Sequence, residues 1–232
     1  MDRLQRIEEN LKAIQQRCAD AAHSVGRVPT SVQLVAVTKY VDTECTQFVA
    51  EAGCRQLGEN RPQQLWEKSD HWEGPEVCWH MIGHLQRNKV AKTLCIAQLI
   101  HAGDSLRLLK EISRQATDAR PARVLIEVNI SGDSAKAGFF SAELPHALDE
   151  VAQLPHLNVC GLMAMASWDR RGDDARGDFS ALRELRDRCL PNCPDNVRLD
   201  ELSMGMSGDF EVAIQEGATI VRVGSAIFEG VL

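Results

Sequence analysis

No apolar run in the sequence approaches the roughly 20 residues that a membrane span requires. Its start, MDRLQRIEENLKAIQQRCADAA, is an amphipathic helix pattern, not a basic stretch followed by an apolar signal core. These two absences argue against a membrane helix and a secretory leader, so a cytoplasmic location is expected. Low-complexity tracts and long structureless linkers are also missing, which argues against disorder. Lys and Arg (26) are spread among Asp and Glu (33) at a net charge of −7, leaving no broad basic surface for a nucleic-acid backbone. The eight cysteines are scattered; only Cys189 and Cys193, in CLPNC, lie close together, and no neighbouring pair or His completes a metal-site spacing. Reduced core thiols, without a metal, are expected. Tyrosine occurs once, at Tyr40.

What is present reads as an ordinary globular chain, 44% apolar and 25% charged. Its 232 residues lie near the roughly 250 usual for a (β/α)8 barrel. One domain over 1–232 is expected, opening with a helix at about 2–25. Eight strand-length apolar runs recur: 32–38, 55–59, 77–83, 97–103, 123–130, 158–165, 199–204 and 219–224. They are continuous, not cleanly alternating, as parallel strands covered on both faces should be. Segments with helical spacing lie between them. Asp104 or Ser105 is placed to start the helix of LRLLKEI, and Ser141 the one reached at Leu144, while Gly53 and Gly217 stand where a helix should stop. Eight such units favour a closed α/β TIM barrel, with a doubly wound open sheet as the alternative. In a barrel the residues just after the strands gather at one end.

Lys39 closes the run LVAVTK, on the same alternating face as Val35 and Val37. Desolvation at a barrel mouth disfavours a charged amine, the condition under which lysine attacks a carbonyl such as the aldehyde of pyridoxal 5'-phosphate (PLP). The plain alternative is a lysine that starts a loop. After the seventh run, LSMGMSGD places Ser203, Gly205, Ser207 and Gly208 before a helix opening at about Asp209; after the eighth, RVGSAIFEG places Gly224 and Ser225. Barrels frequently bind phosphate with these two loops, small residues letting backbone N–H groups approach an anion. Arg222, beside a pyridine nitrogen, donates a hydrogen bond without surrendering a proton, which weakens the ring as an electron sink. A place in the phosphate site or a salt bridge to Glu201 or Glu229 stays open. Asn60, in LGEN, is a candidate partner for a phenolic oxygen or a turn former. His80 is a reacting group or a satisfied core histidine, and Met163 a ring-packing side chain near the mouth or core filling.

With Lys39, GEN, WHMIGHLQRNK, GLMAM, LSMGMSGD and RVGSAIFEG in order, the chain resembles the YggS/PROSC family of PLP-binding proteins, also called PLP homeostasis proteins, from about Val32 to Gly230. VNISGDSAKAGF, with Asn129, Lys136 and Gly138, resembles a further signature of that family. The resemblance implies a single barrel similar to the N-terminal domain of alanine racemase (PLP fold type III). It implies PLP as a Schiff base on Lys39, with phosphate held by Ser203, Ser207, Gly224 and Ser225. It also implies a monomer that carries or regulates PLP without established catalysis, with PLP-requiring apoenzymes as candidate recipients. Where many relatives have a second lysine soon after the first, this chain has Tyr40 and Val41.

Two other functions stay open on the sequence. An amino-acid racemase needs a second proton-transfer group opposite the lysine. Strand alternation would send Tyr40 to the other face from Lys39, leaving His80 or a cysteine as substitutes. A barrel that binds a phosphorylated metabolite without PLP would keep the two loops and make Lys39 incidental.

Overall fold

The structure, a computed structural model, describes residues 2–133, 135–167, 170 and 172–231. Ser134 of the SGDSAK segment and the terminal Leu232 lie outside the described residues. Among the described residues there are nine strands: β1 (Gln33–Val37), β2 (Gln56–Glu59), β3 (Cys78–Met81), β4 (Leu99–Gly103), β5 (Ala122–Asn129), β6 (Phe139–Phe140), β7 (Leu157–Met163), β8 (Glu201–Ser203) and β9 (Ile220–Val223). Eight of them are the expected runs. Every pairing between these strands is parallel, in the order β1-β2-β3-β4-β5-β7-β8-β9, and β9 returns to β1 through Leu34 opposite Val221 and Val35 opposite Arg222. The ring is therefore a closed eight-stranded parallel barrel, and the open-sheet alternative falls. The two-residue β6 hangs on β5 outside the ring, too short to carry a periodicity.

The helices are α1 (Arg3–His23), α2 (Thr43–Glu51), α3 (Pro62–Asp70), α4 (Val90–Leu94), α5 (Leu106–Gln115), α6 (Leu144–Val151), α7 (Arg176–Cys189) and α8 (Phe210–Gln215). Their apolar faces follow helical spacing. Ile7, Leu11, Ile14 and Cys18 of α1 are buried, as are Leu108, Leu109 and Ile112 of α5. Each fully buried Leu or Ile contributes roughly 1.5–3 kcal/mol relative to exposure. Ser105 caps α5 by accepting from the Leu108 N–H at 3.4 Å. Ser141 does not cap α6. That helix starts at Leu144 with Glu143 as its N-cap residue, and the Glu143 carboxylate accepts instead from the Phe140 N–H at 2.9 Å. Gly53 and Gly217 follow α2 and α8 in left-handed conformations, with φ of 96° and 103°.

Two apolar compartments result. The larger lies between strands and helices; the smaller fills the barrel with Val35, Leu99, Ala102, Leu125, Met163 and Ile220. Met163, expected near the mouth, is the last residue of β7 and a buried member of this plug; the half-exposed Met165 emerges two residues beyond the strand.

Candidate functional site

Strand β1 ends at Val37, so Lys39 sits in a turn beyond it. The turn closes through the Val41 N–H to the Thr38 carbonyl at 3.1 Å. Asp42 then caps α2, accepting from the Cys45 N–H at 2.8 Å, and that bond holds its carboxyl below the ordinary range. Helix α3 grips the same turn from the side. Lys68 Nζ donates to the Thr38 carbonyl at 2.7 Å, Gln64 Nε2 donates to the Lys39 carbonyl at 3.1 Å, and the Thr38 hydroxyl donates to Glu59 Oε1 at 2.6 Å. The backbone of Lys39 is thus fixed while its side chain stays half-buried. The expected separation of Lys39 and Tyr40 does not occur. Alternation stops where the strand stops, and Lys39 Nζ lies 4.9 Å from the centroid of the exposed Tyr40 ring.

The loops after β8 and β9 meet beside this turn. Arg222 N–H donates to the Gly205 carbonyl at 3.0 Å, and Gly224 N–H donates to Ser207 Oγ at 3.1 Å. Gly224 is pressed on β1: a Cβ there would lie 3.1 Å from the Val37 carbonyl oxygen and 3.2 Å from its Cβ. Gly205 has φ of 92°, and a Cβ there would approach Ala213 Cβ to 2.6 Å. Ser207 is half-buried and Ser225 exposed, so both hydroxyls stand at the rim. The α8 helix that follows has six residues, so its N-terminus adds little electrostatic attraction for an anion.

Beneath the rim the barrel also holds a set of buried polar side chains beside its apolar plug. His80 Nε2 lies 2.8 Å from Gln56 Oε1, His80 Nδ1 lies 2.8 Å from His101 Nε2, and His101 Nδ1 lies 2.9 Å from Ser203 Oγ. Arg222 donates from Nη1 to Ser203 Oγ at 2.5 Å and from Nη2 to the Ala164 carbonyl at 3.0 Å. Burial lowers Arg222 to about 10, with Glu127 and Asp209 opposing, so it remains a cation at neutral pH. No salt bridge to Glu201 or Glu229 forms among the described residues; Glu201 accepts from the Thr219 hydroxyl. Burial pushes Glu127 up to about 7, helped by Asp104, which lies 2.7 Å from His84 Nδ1. Asn60 is exposed and folded against Gly83, where any Cβ would strike its Oδ1.

Lys39, Ser207, Gly224 and Ser225 therefore share the carboxyl end of the barrel, with Arg222 below them. His80, Met163 and Ser203 lie deeper, and Ser203 is wholly buried. The sequence reading missed His101, Glu127, Gln56 and Lys68. A signal existed for two of them, since His101 in LIHAG and Glu127 in LIEVN interrupt otherwise apolar strands. Asn129 is a loop clamp, donating to the carbonyls of Asp133 and Lys136. Among the described residues all eight cysteines are free, no group of three or more His, Cys, Asp or Glu is placed to hold a metal ion, and no helix is long and apolar enough to cross a membrane.

An amine and a glycine-serine cradle at the carboxyl rim of a closed parallel barrel define a (β/α)8 binding protein for a small anionic ligand. The model of the alanine racemase N-terminal domain matches residues 3–230. The chain belongs to that family, and within it to the pyridoxal phosphate homeostasis proteins. The pyridoxal phosphate homeostasis protein of Aquifex aeolicus is 38% identical over 98% of each chain. The structure of PipY from Synechococcus elongatus with PLP bound is 32% identical, with a TM-score of 0.84 over 96% of this chain and 99% of that one. Alanine racemase from Corynebacterium glutamicum, 15% identical, shares the fold at a TM-score of 0.67 over 97% of this chain and 61% of its own.

Proposed function

We propose that this chain holds PLP as a Schiff base on Lys39 and buffers or delivers it without a catalytic cycle of its own. One observation carries the reading: Gly224 packs on Val37, two residues before Lys39, while its N–H meets Ser207 Oγ. The amine and both glycine-serine loops thereby converge on one rim.

The residues fit the cofactor. Ser207, Gly224 and Ser225 would take the phosphate, with glycine at 224 letting that loop lie directly against Val37 of β1. Arg222 would face the ring nitrogen as a donor only, Asn60 would lie near the phenolic oxygen, and Met163, His80 and Ser203 would support the floor. When bound, PLP supplies an aldehyde that combines reversibly with a primary amine. The protein's part is to hold the Lys39 backbone rigid through Gln64 and Lys68 while leaving the side chain free to reach that aldehyde. We take the chain to act as one monomeric cytoplasmic barrel, with PLP-requiring apoenzymes as recipients.

Borohydride reduction of PLP-treated protein should abolish its visible band and add the mass of a reduced pyridoxyl group to the Lys39 peptide. A colourless protein labelled nowhere would overturn the reading in favour of a phosphate-binding barrel. Glu127, held near neutrality at the floor, motivates a second reading as a racemase-like enzyme. Exchange of the Cα proton of amino acids, lost in Lys39→Ala, would establish it.

A further inference from the structure

We propose that Gln56, His80, His101 and Ser203 form a one-way hydrogen-bond chain across the barrel that positions Arg222, and that Ser203 serves this chain and not the bound anion. The part concerning the anion rests on the function proposed above; the proton order does not.

The order follows from the donors and acceptors present. Gln56 presents Oε1, which only accepts, so His80 carries its proton on Nε2. His80 is neutral because burial lowers it to about 4, which leaves Nδ1 as an acceptor. His101 must then donate from Nε2. His101 is wholly buried and held well below its ordinary value, first by desolvation and then by His80 and Arg222, so it too is neutral and its Nδ1 accepts. The Ser203 hydroxyl is the neighbour of that atom and must donate to it. Arg222 Nη1, a donor only, fills a lone pair on Ser203 Oγ.

Every hydrogen in the chain therefore points from Arg222 toward Gln56, and both histidines are Nε2–H tautomers. A cation heads the chain, which is the direction its charge favours. Two consequences follow. The single hydroxyl proton of Ser203 is committed to His101, so it has none to offer a phosphate oxygen. The guanidinium, fixed at Ser203 Oγ and the Ala164 carbonyl, is held in one orientation. Ser207 and Ser225, at the rim, are left as the hydroxyl donors for an anion. The resemblance had grouped all three serines together.

Long-range 1H–15N correlation spectra of histidine-labelled protein, recorded without PLP at neutral pH, should show both buried rings as neutral Nε2–H tautomers. An Nδ1–H tautomer or an imidazolium at either site overturns the chain, whether or not PLP binds. In PLP-loaded protein, Ser203→Ala should leave the cofactor's 31P resonance in place while shifting its visible band and the pH at which that band changes. Ser203→Thr should restore the band. Ser207→Ala should move the 31P resonance. A 31P shift in Ser203→Ala as large as that in Ser207→Ala would overturn the assignment of Ser203. Failure of the wild-type chain to take up PLP would sink the proposed function and leave the tautomer result readable.

Discussion

Lys68 Nζ meets Glu59 Oε1 at 2.5 Å with side chains 5% and 0% exposed, and the same ammonium holds the Thr38 carbonyl one residue before Lys39. The second Glu59 oxygen, Oε2, is buried with no hydrogen-bond partner among the described residues. Two ions removed from water are tolerated only as a pair, and deleting one leaves an uncompensated buried charge. Lys68→Met should therefore cost about 3–5 kcal/mol, measured by urea denaturation, and the double variant with Glu59→Leu should recover part of that loss. Labelling of Lys39 by PLP and borohydride should fall in the single variant even where it is folded, because the turn loses its clamp.

Gly224 links the amine turn to the cradle by close contact, not by a hydrogen bond between them. Gly224→Ala would place a methyl 3.1 Å from the Val37 oxygen, so β1 and the following loop must part by a few tenths of an ångström. Overpacking of this kind costs roughly 1–3 kcal/mol. PLP binding should weaken together with stability in a spectrophotometric titration, since the shift separates Lys39 from Ser207. Gly26→Ala, at a left-handed glycine with open space around it, should lower stability without changing PLP affinity.

The barrel was legible because continuous apolar runs at regular spacing have few other solutions, and loops such as LSMGMSGD lie where β8 and β9 deliver them. The interior was less legible. Whether His80 reacts or is satisfied depends on His101, which is distant in sequence and meets it only when β3 and β4 pair. Tyr40 was misplaced because alternation was carried past Val37, where the ladder ends. Lys68 reads as a surface residue of α3, and only Glu59 at the end of β2 explains why it is buried.

Glu127 should leave a mark on the pH dependence of stability. Its folded pKa is raised from 4.5 to about 7 by burial and then by Asp104, while Arg222 and His84 lower it. Between those values the folded state holds a proton that the unfolded state has lost, so this group makes stability fall as pH rises from 4.5 to about 7 and level off above. At about 1.4 kcal/mol per pKa unit the loss is on the order of 3 kcal/mol. Glu127→Gln should remove that slope and be the more stable protein under mildly alkaline conditions, as read from denaturation curves at a series of pH values.

His80 acts with the opposite sign. Its folded pKa is lowered from 6.5 to about 4, by desolvation first and then by Arg123, so below 6.5 the unfolded state binds a proton that the folded state refuses. Stability from this group is present above 6.5 and is lost as pH falls toward 4. Buried His101, shifted in the same direction, steepens the loss. From 4.5 to 6.5 the slope of Glu127 opposes those of the two histidines, so the wild-type profile there should be shallower than that of Glu127→Gln and steeper than that of His80→Gln. His80→Gln should lose part of the acid-side slope while Glu127→Gln exposes it in full. If the two variants share the wild-type profile, neither side chain is held in the protonation state that the barrel interior imposes, and the ordered chain to Arg222 loses its basis.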